Sequence, residues 1–308
     1  MYKSRVGGVI AAASKKDAIP LLQIGSISII KRIVITYQQA GVFPIVIITG
    51  ANEDEVKYQL APHGLIFIPN EHSETPQLIE SAKIGMNYLK DKCEKIVFTP
   101  VNTPMFTPST LEKLINCSSM IVTPSYHGIG GHPIVFDSAI IDKFFSYDGM
   151  DGMRGAISCL ESERQWLDVD DEGITLSVHD EEQLQTRLAE HNRSILNSFV
   201  KIYIEKEKPF FDSRAKLLLY LIGITGSVRK ACDQMGLSYG KAWVIINELE
   251  EKLEYAIVER KQGGSKGGKT MLTERGSNFI NAYQEFEESI LQHAHSEFER
   301  LFEKQALV

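Results

Sequence analysis

The chain has 308 residues, of which 43% are apolar and 24% are charged, and its formal net charge is −7. This length predicts about two domains, and the composition is that of an ordinary globular protein. The negative net charge argues against a protein whose whole surface binds polyanions, but it is compatible with a local basic patch. The four cysteines are scattered without metal-binding spacing, which predicts reduced thiols in a cytoplasmic protein. We expect no signal segment and no transmembrane segment.

The first 190 or so residues alternate short apolar runs with helical patterns. Predicted strands lie at 5–13, 44–50, 65–69, 95–101, 119–123 and 133–136. Predicted helices lie at 27–40, 54–60, 76–92, 139–145 and 180–190. This alternation predicts an α/β domain with a mostly parallel, Rossmann-like sheet.

The pattern changes after residue 192, and we place a domain boundary near Arg193, which gives predicted domains 1–192 and 193–308. A short hairpin is predicted at 200–211, followed by a helix at 228–237 and a second helix at 239–253. A hairpin with a glycine-lysine tip comes next, and apolar spacing then predicts a long amphipathic helix over 277–302. This order predicts a winged helix-turn-helix, the form in which one helix enters a DNA major groove.

Several residues of this predicted unit are candidates for contact with double-stranded DNA. The start of the second helix offers Ser238, which is also a good N-cap, together with Tyr239 and Lys241. The hairpin, or wing, offers Arg260, Lys266 and Lys269 and is basic within an acidic chain. Winged helices also mediate protein contacts, and a glycine-lysine tip can be an ordinary solvated loop, so these alternatives stay open.

The same region closely resembles the DNA-binding domain of the molybdate-responsive transcription regulators, the ModE-like family. The segments that carry the resemblance are 225–227 (TGS), 238–243 (SYGKAW), 258–260 (VER), 263–268 (GGSKGG) and 272–276 (LTERG). The resemblance implies a homodimer that binds palindromic operators. The sequence contains no counterpart of that family's molybdate-binding domain, so molybdate sensing is not carried over.

The first 190 residues resemble the MobA/MocA-like nucleotidyltransferases, which attach CMP or GMP to molybdopterin. The segments that carry this resemblance are 11–14 (AAAS), 20–25 (PLLQIG), 46–50 (VIITG), 102–104 (NTP), 131–133 (GHP) and 151–154 (DGMR). It implies a nucleotidyltransferase-like α/β fold. It also implies that the candidate nucleotide-binding residues are Ala12, Ala13, Ser14, Lys15, Lys16, Asn102 and His132.

The glycine of the family's phosphate-binding loop and its metal-binding carboxylates are replaced by other residues in this sequence. The glycine of the family's phosphate-binding loop corresponds to Ala13, its magnesium-binding aspartate to Asn102, and a later acidic motif to the segment 177–180 (SVHD). Because Mg²⁺ is held by carboxylates, we predict no metal site and no catalytic residue. We also name no certain cofactor. Mg²⁺ would be a cofactor only if the domain were an active enzyme. Asp151, Asp168 and Asp180 are an alternative metal site, and His132 either contacts a ligand or only organises its own loop.

The resulting hypothesis is a DNA-binding transcriptional regulator linked to molybdenum cofactor metabolism. Its inactive nucleotidyltransferase-like domain would sense a nucleotide, molybdopterin or the finished molybdenum cofactor. The alternative is an active CTP or GTP:molybdopterin nucleotidyltransferase that carries its own DNA-binding domain. A protein–protein scaffold is a third hypothesis, which the basic wing disfavours.

Overall fold

The computed structural model describes residues 4–13, 19–71, 78–179, 181–195, 200–261 and 269–303. Their contacts divide them into two compact units, a larger one of 4–60 and 66–195 and a smaller one of 61–65 and 200–303. No helix within these ranges combines the length and apolar character that crossing a bilayer requires.

The larger unit is an α/β unit. Its strands are β1 (Ser4–Ala11), β2 (Gln23–Ile24), β3 (Ile27–Ser28), β4 (Ile45–Thr49), β5 (Ile66–Pro69), β6 (Cys93–Pro100), β7 (Ile121–Tyr126), β8 (Ile129–Gly130), β9 (Ile134–Asp137) and β10 (Arg164–Asp168). Its helices are α1 (Ile29–Gln39), α2 (Glu53–Leu60), α3 (Leu78–Leu89), α4 (Pro108–Asn116), α5 (Ile141–Phe145), α6 (Gly152–Ser158) and α7 (Glu181–Ser194). Helix α7 runs through Arg193, and the division between the units falls after this helix.

The strands of the central sheet follow the order β10-β7-β9-β6-β1-β4-β5, with β8 paired to β7. Pairing is parallel except for β8 and β9, so the predicted mostly parallel sheet is confirmed. All five side chains of β4 are buried, as expected for a strand covered on both faces. Helix α3 packs on β1, where a Cβ atom on Gly85 would lie 2.4 Å from Val9 Cγ1, so glycine permits the close approach.

The order of the strands creates a switch point between β1 and β6. From β1 the chain moves outward to β4 and β5, and then returns to β6 on the other side of β1. Because β1, β4 and β6 are parallel, their carboxyl ends meet at one edge of the sheet. Ligands of open α/β sheets bind in the crevice outside this edge at the switch point.

The smaller unit begins with a hairpin and is otherwise mostly helical. Its elements are β11 (Ile204–Glu205), β12 (Pro209–Phe211), α8 (Ser213–Thr225), α9 (Val228–Met235), α10 (Tyr239–Leu253), β13 (Val258–Lys261), β14 (Lys269–Leu272) and α11 (Glu274–Phe298), with a final π-turn at Glu299–Glu303. Strands β13 and β14 pair antiparallel, with Lys261 opposite Lys269. From α9 onward, the two helices, the hairpin and the long helix follow the predicted order, whereas α8 was not predicted from the sequence.

Local signals explain where the helices of this unit begin and end. Ser227 and Ser238 accept hydrogen bonds from the backbone N–H groups of Lys230 and Lys241 and so cap α9 and α10. Gly226 and Gly236 take left-handed conformations that end α8 and α9. The core is built around α8, whose residues 215–222 are all buried.

Candidate ligand site and candidate nucleic-acid interface

The structure brings several of the predicted nucleotide-binding residues to the switch-point edge of the sheet. Ala12 follows β1 and donates its N–H to Ile48 O at 2.9 Å, and Val101 donates to Ala11 O at 3.0 Å. Ala12, Ala13 and Asn102 therefore follow the carboxyl ends of two adjacent parallel strands. Ser14, Lys15 and Lys16, the remainder of the predicted loop, lie outside the described residues.

Asn102 lies against the segment that corresponds to the family's later acidic motif. Val178 donates its N–H to Asn102 O at 2.9 Å, so Ser177 and Asn102 belong to neighbouring segments. An amide and a hydroxyl do not replace the carboxylates that Mg²⁺ needs. Among the described residues, no three His, Cys, Asp or Glu side chains converge to hold a metal ion. At the two positions that correspond to the family's metal ligands, the described residues thus offer an amide and a hydroxyl in place of carboxylates.

The aspartates named as an alternative metal site have other surroundings. Asp168 accepts a hydrogen bond from Ser125 Oγ at 3.1 Å, and Asp151 is exposed beside Tyr147. Asp180 lies outside the described residues. The nearby Asp171 accepts from the N–H and hydroxyl of Thr107, at 2.9 and 3.0 Å, and from the N–H of Gly173 at 3.0 Å. That carboxylate holds two loops together.

His132 precedes β9, whose antiparallel pairing places it at the same edge as Asn102. Its N–H donates to Ile174 O at 2.9 Å, and its ring meets Phe98 edge-on with 6.2 Å between centroids. Burial lowers the pKa of His132 to about 4, so the imidazole is neutral at physiological pH. Its Nδ1 atom is buried and has no hydrogen-bond partner among the described residues.

A buried hydrogen-bond network connects α1, α7 and the loop after β6, and no motif in the sequence predicted it. Arg32 is only 1% exposed, and its Nη1 donates to His191 Nδ1 and to Asn192 Oδ1, both at 2.9 Å. Because a guanidinium can only donate, His191 Nδ1 accepts, and His191 Nε2 donates to Phe106 O at 3.1 Å. Burial, with a smaller contribution from Arg32, lowers the pKa of His191 to about 4.

The described candidates for DNA contact lie at the start of α10 and on the two-stranded hairpin. Tyr239 is 46% exposed, and the side chains of Lys241, Arg260 and Lys269 are exposed as well. Ser238 is the N-cap of α10, as predicted from the sequence. Lys266 lies outside the described residues.

Two aromatic rings on this surface lie between two arginines. The guanidinium of Arg260, on β13, lies 3.9 Å from the ring centroid of Trp243, and the rings of Trp243 and Tyr239 are 6.1 Å apart. Arg229, on α9, lies 5.3 Å from the ring centroid of Tyr239. The contact with Trp243 orients Arg260 beside α10. Arg229 was missed because its proximity to Tyr239 depends on the angle between α9 and α10.

Comparison with known proteins identifies relatives of both parts of the chain. Residues 15–166 match the family model of the MobA-like NTP transferase domain. The DNA-binding transcriptional dual regulator ModE of Escherichia coli (strain K12) is 38% identical over 78 residues, which are 25% of this chain and 30% of that protein. The molybdenum-pterin-binding protein MopB of Rhodobacter capsulatus is 36% identical over 89 residues, which are 29% and 33% of the two chains. The chain thus spans about a third of the length of these relatives.

Solved structures show the same α/β fold. A nucleotidyl transferase from Methanothermobacter thermautotroptrophicus superimposes with a TM-score of 0.52 at 16% identity, covering 60% of this chain and 98% of that one. The 4-diphosphocytidyl-2C-methyl-D-erythritol synthase of Anaerococcus prevotii gives a TM-score of 0.51 at 13% identity, covering 60% and 96%. The chain therefore combines a region that matches the MobA-like NTP transferase domain with a following region that is similar to ModE and MopB.

Proposed function

We propose that this protein is a transcriptional regulator linked to molybdenum metabolism, with a DNA-binding C-terminal unit and a ligand-sensing N-terminal domain. The N-terminal domain would bind a nucleotide, molybdopterin or the molybdenum cofactor at the switch-point edge and would have lost transferase activity. The observation that carries the proposal is that a DNA-reader-like surface, in a region similar to ModE, follows a nucleotidyltransferase-like domain whose metal position holds Asn102.

The exposed start of α10 supports DNA binding. Tyr239 and Lys241 extend from the first turn of a helix whose opposite face is buried, which is the part of a recognition helix that reaches base edges. Arg260 and Lys269 lie on the neighbouring strands, at the place from which a wing contacts phosphates.

A salt titration tests the DNA-binding half of the proposal. The full chain should bind duplex DNA with an affinity that falls steeply as salt rises, measured by fluorescence anisotropy. Lys269→Ala should weaken binding to all sequences alike and reduce the slope of log affinity against log salt by about one unit. Lys113→Ala, a change of charge on α4 in the other unit, is the control that should leave the slope unchanged. Salt-independent binding, or no binding to any duplex, would overturn the assignment.

The chemistry at the sheet edge supports the sensing half. Phosphoryl transfer depends on positioning and on neutralising phosphate charge with metal ions. Asn102 can donate a hydrogen bond to a ligand but brings no charge, so binding without turnover is the expected behaviour.

The alternative function is an active nucleotidyltransferase that carries its own DNA-binding domain, which the match over 15–166 and the assembled switch point favour. Release of pyrophosphate from CTP or GTP, with molybdopterin and Mg²⁺, separates the two. We expect binding of a nucleotide or pterin by calorimetry without pyrophosphate release. Turnover that disappears in Asp151→Asn or Asp180→Asn would establish the enzyme instead.

We further propose that the protein is a homodimer assembled through α11. The first half of this helix packs in its own unit, where Phe279 and Tyr283 meet the ring of Phe211 at 4.9 and 4.7 Å. Farther along, Phe286 is 50% exposed and Leu291 is 38% exposed, and at about 100° per residue they lie on the two borders of the helix face that carries Tyr283 and Ile290. A second copy would cover this apolar stripe and would place two copies of α10 on one face of a palindromic site.

A further inference from the structure

Helix α10 has an outward ridge that the candidates predicted from sequence do not include. Its buried side chains are Ala242, Ile246 and Leu249, which form one face at helical spacing. At about 100° per residue, Val244 points in roughly the opposite direction. Gly240 precedes Val244 on this ridge and Asn247 follows it, and both are exposed.

Val244 is unusual for its exposure. This residue is 64% exposed in the second turn of α10, where Lys241 and Asn247 lie beside it at helical spacing. Nothing lies within 4 Å of the position that a Cβ atom on Gly240 would occupy, so packing within the unit does not require glycine there. Together, a missing side chain and an exposed isopropyl group leave a shallow, uncharged surface on the outer side of α10.

We propose that Val244 is a specificity-determining residue that contacts the C5-methyl group of a thymine in the major groove. The inference rests on the proposed function, because it requires α10 to be the recognition helix. Thymine is the one standard DNA base that presents a methyl group in that groove, and apolar side chains read it by direct contact. Gly240 allows the backbone of α10 to approach the base edges closely, which brings the short side chain of Val244 within reach.

This role is different from that of the charged residues around it. Lys241 and Arg260 can bind phosphates or guanine whether or not a thymine is present. Val244 has no polar atom in its side chain, so its contribution depends on burying methyl groups. Removing only the methyl group from the DNA should therefore remove the contribution of Val244 to the affinity and leave the contacts of the basic residues intact.

The experiment uses the full chain and a duplex selected by it from a random pool. Each thymine of the selected site is replaced in turn by deoxyuridine, which lacks only the methyl group. We expect one position, with its symmetry mate if the site is palindromic, at which deoxyuridine weakens binding about threefold to fivefold, the effect of one buried methyl. In Val244→Ala the same replacement should have almost no effect, whereas Lys241→Ala should bind more weakly and keep the full difference between thymine and deoxyuridine.

The outcomes separate this inference from the proposed function. Salt-dependent DNA binding in which no thymine matters, or in which Val244→Ala keeps the full difference, would overturn the role of Val244 and leave the DNA reader intact. Failure to select any duplex would overturn both. Val244→Thr, which keeps one methyl group, should retain part of the difference, and thermal unfolding of all variants checks that the unit remains folded.

Discussion

At the scale of single residues, two buried histidines give the larger unit a specific response to acid. Burial lowers the pKa values of His132 and His191 to about 4, from a usual value of 6.5. In the unfolded chain both imidazoles bind protons near their usual value, so the unfolded state binds more protons than the folded state between about pH 6.5 and pH 4. The free energy of unfolding must therefore fall as the pH falls through this window.

We predict that His191→Gln reduces this loss of stability. Each histidine contributes on the order of 3 kcal/mol to the difference between pH 7 and pH 4, and glutamine does not titrate. The measurement is urea unfolding of the full chain at several pH values between 7 and 4, for wild type and variant. His293→Gln, on the exposed part of α11, is the control and should keep the wild-type profile. Parallel profiles for wild type and His191→Gln would mean that His191 is not the titrating group.

Asn102 gives a second residue-scale prediction. If the switch-point edge holds a nucleotide, Asn102→Asp restores a carboxylate beside the phosphates and should tighten Mg²⁺-dependent binding of CTP or GTP about tenfold. Calorimetry with Mg²⁺ measures the change. The same titration with EDTA is the control, where the added negative charge should weaken binding. Equal affinities of wild type and variant in Mg²⁺ would show that Asn102 does not face the ligand.

At the scale of elements, α10 is the helix whose bounds the sequence predicted completely, whereas α4, α6 and α8 were not predicted, although Thr107 and Asp212 cap α4 and α8. Helix α10 occupies the predicted residues 239–253, because Ser238 caps it and its apolar spacing is regular. Strand β10 was missed, because it is a sheet-edge strand with mixed exposure and no continuous apolar run. The hairpin of β2 and β3 has two residues in each strand, too few for a period to be visible, so the predicted helix at 27–40 begins at Ile29.

In the larger unit, too, the sequence predicted residues that belong to local motifs and missed those that only tertiary packing brings together. Ala12, Ala13, Asn102 and His132 were predicted from motifs, and the order of the strands explains why they lie at one edge of the sheet. Arg32 and His191 are 159 positions apart, and only the packing of α7 against α1 brings them together. No local pattern predicts such a pair.

Ser238 supports a prediction about α10 as an element, because capping and DNA contact can be separated there. Ser238→Ala should lower the free energy of unfolding by about 1 kcal/mol through loss of the cap. Ser238→Asp keeps a good cap and should keep the stability, but its negative charge should weaken DNA binding about tenfold or more by repelling phosphates. Thermal unfolding and anisotropy measure the two effects. An Asp variant with full DNA affinity would place Ser238 away from the DNA.

At the scale of the whole molecule, the proposed dimer would determine how strongly the protein binds a palindromic DNA site. Two copies of α10 separated by about 34–36 Å would meet successive major grooves, and the second contact would then be intramolecular. Truncation before α11 is a poor test, because Tyr283 also donates a hydrogen bond to Ile202 O at 2.9 Å and packs on Phe211. Substitutions on the exposed half of α11 separate assembly from folding.

We therefore predict that Phe286→Glu combined with Leu291→Glu gives a folded monomer, because two carboxylates would have to be buried without partners in the interface. Light scattering at micromolar concentration should give twice the mass of one chain for wild type and a single mass for the variant. Binding to a palindromic site should fall by about a hundredfold, whereas binding to a half-site should change little. Gln292→Glu adds a negative charge on the opposite side of α11 and should remain a dimer. A monomeric wild type would mean that the apolar stripe is covered within one chain, and the two-fold operator model would then be wrong.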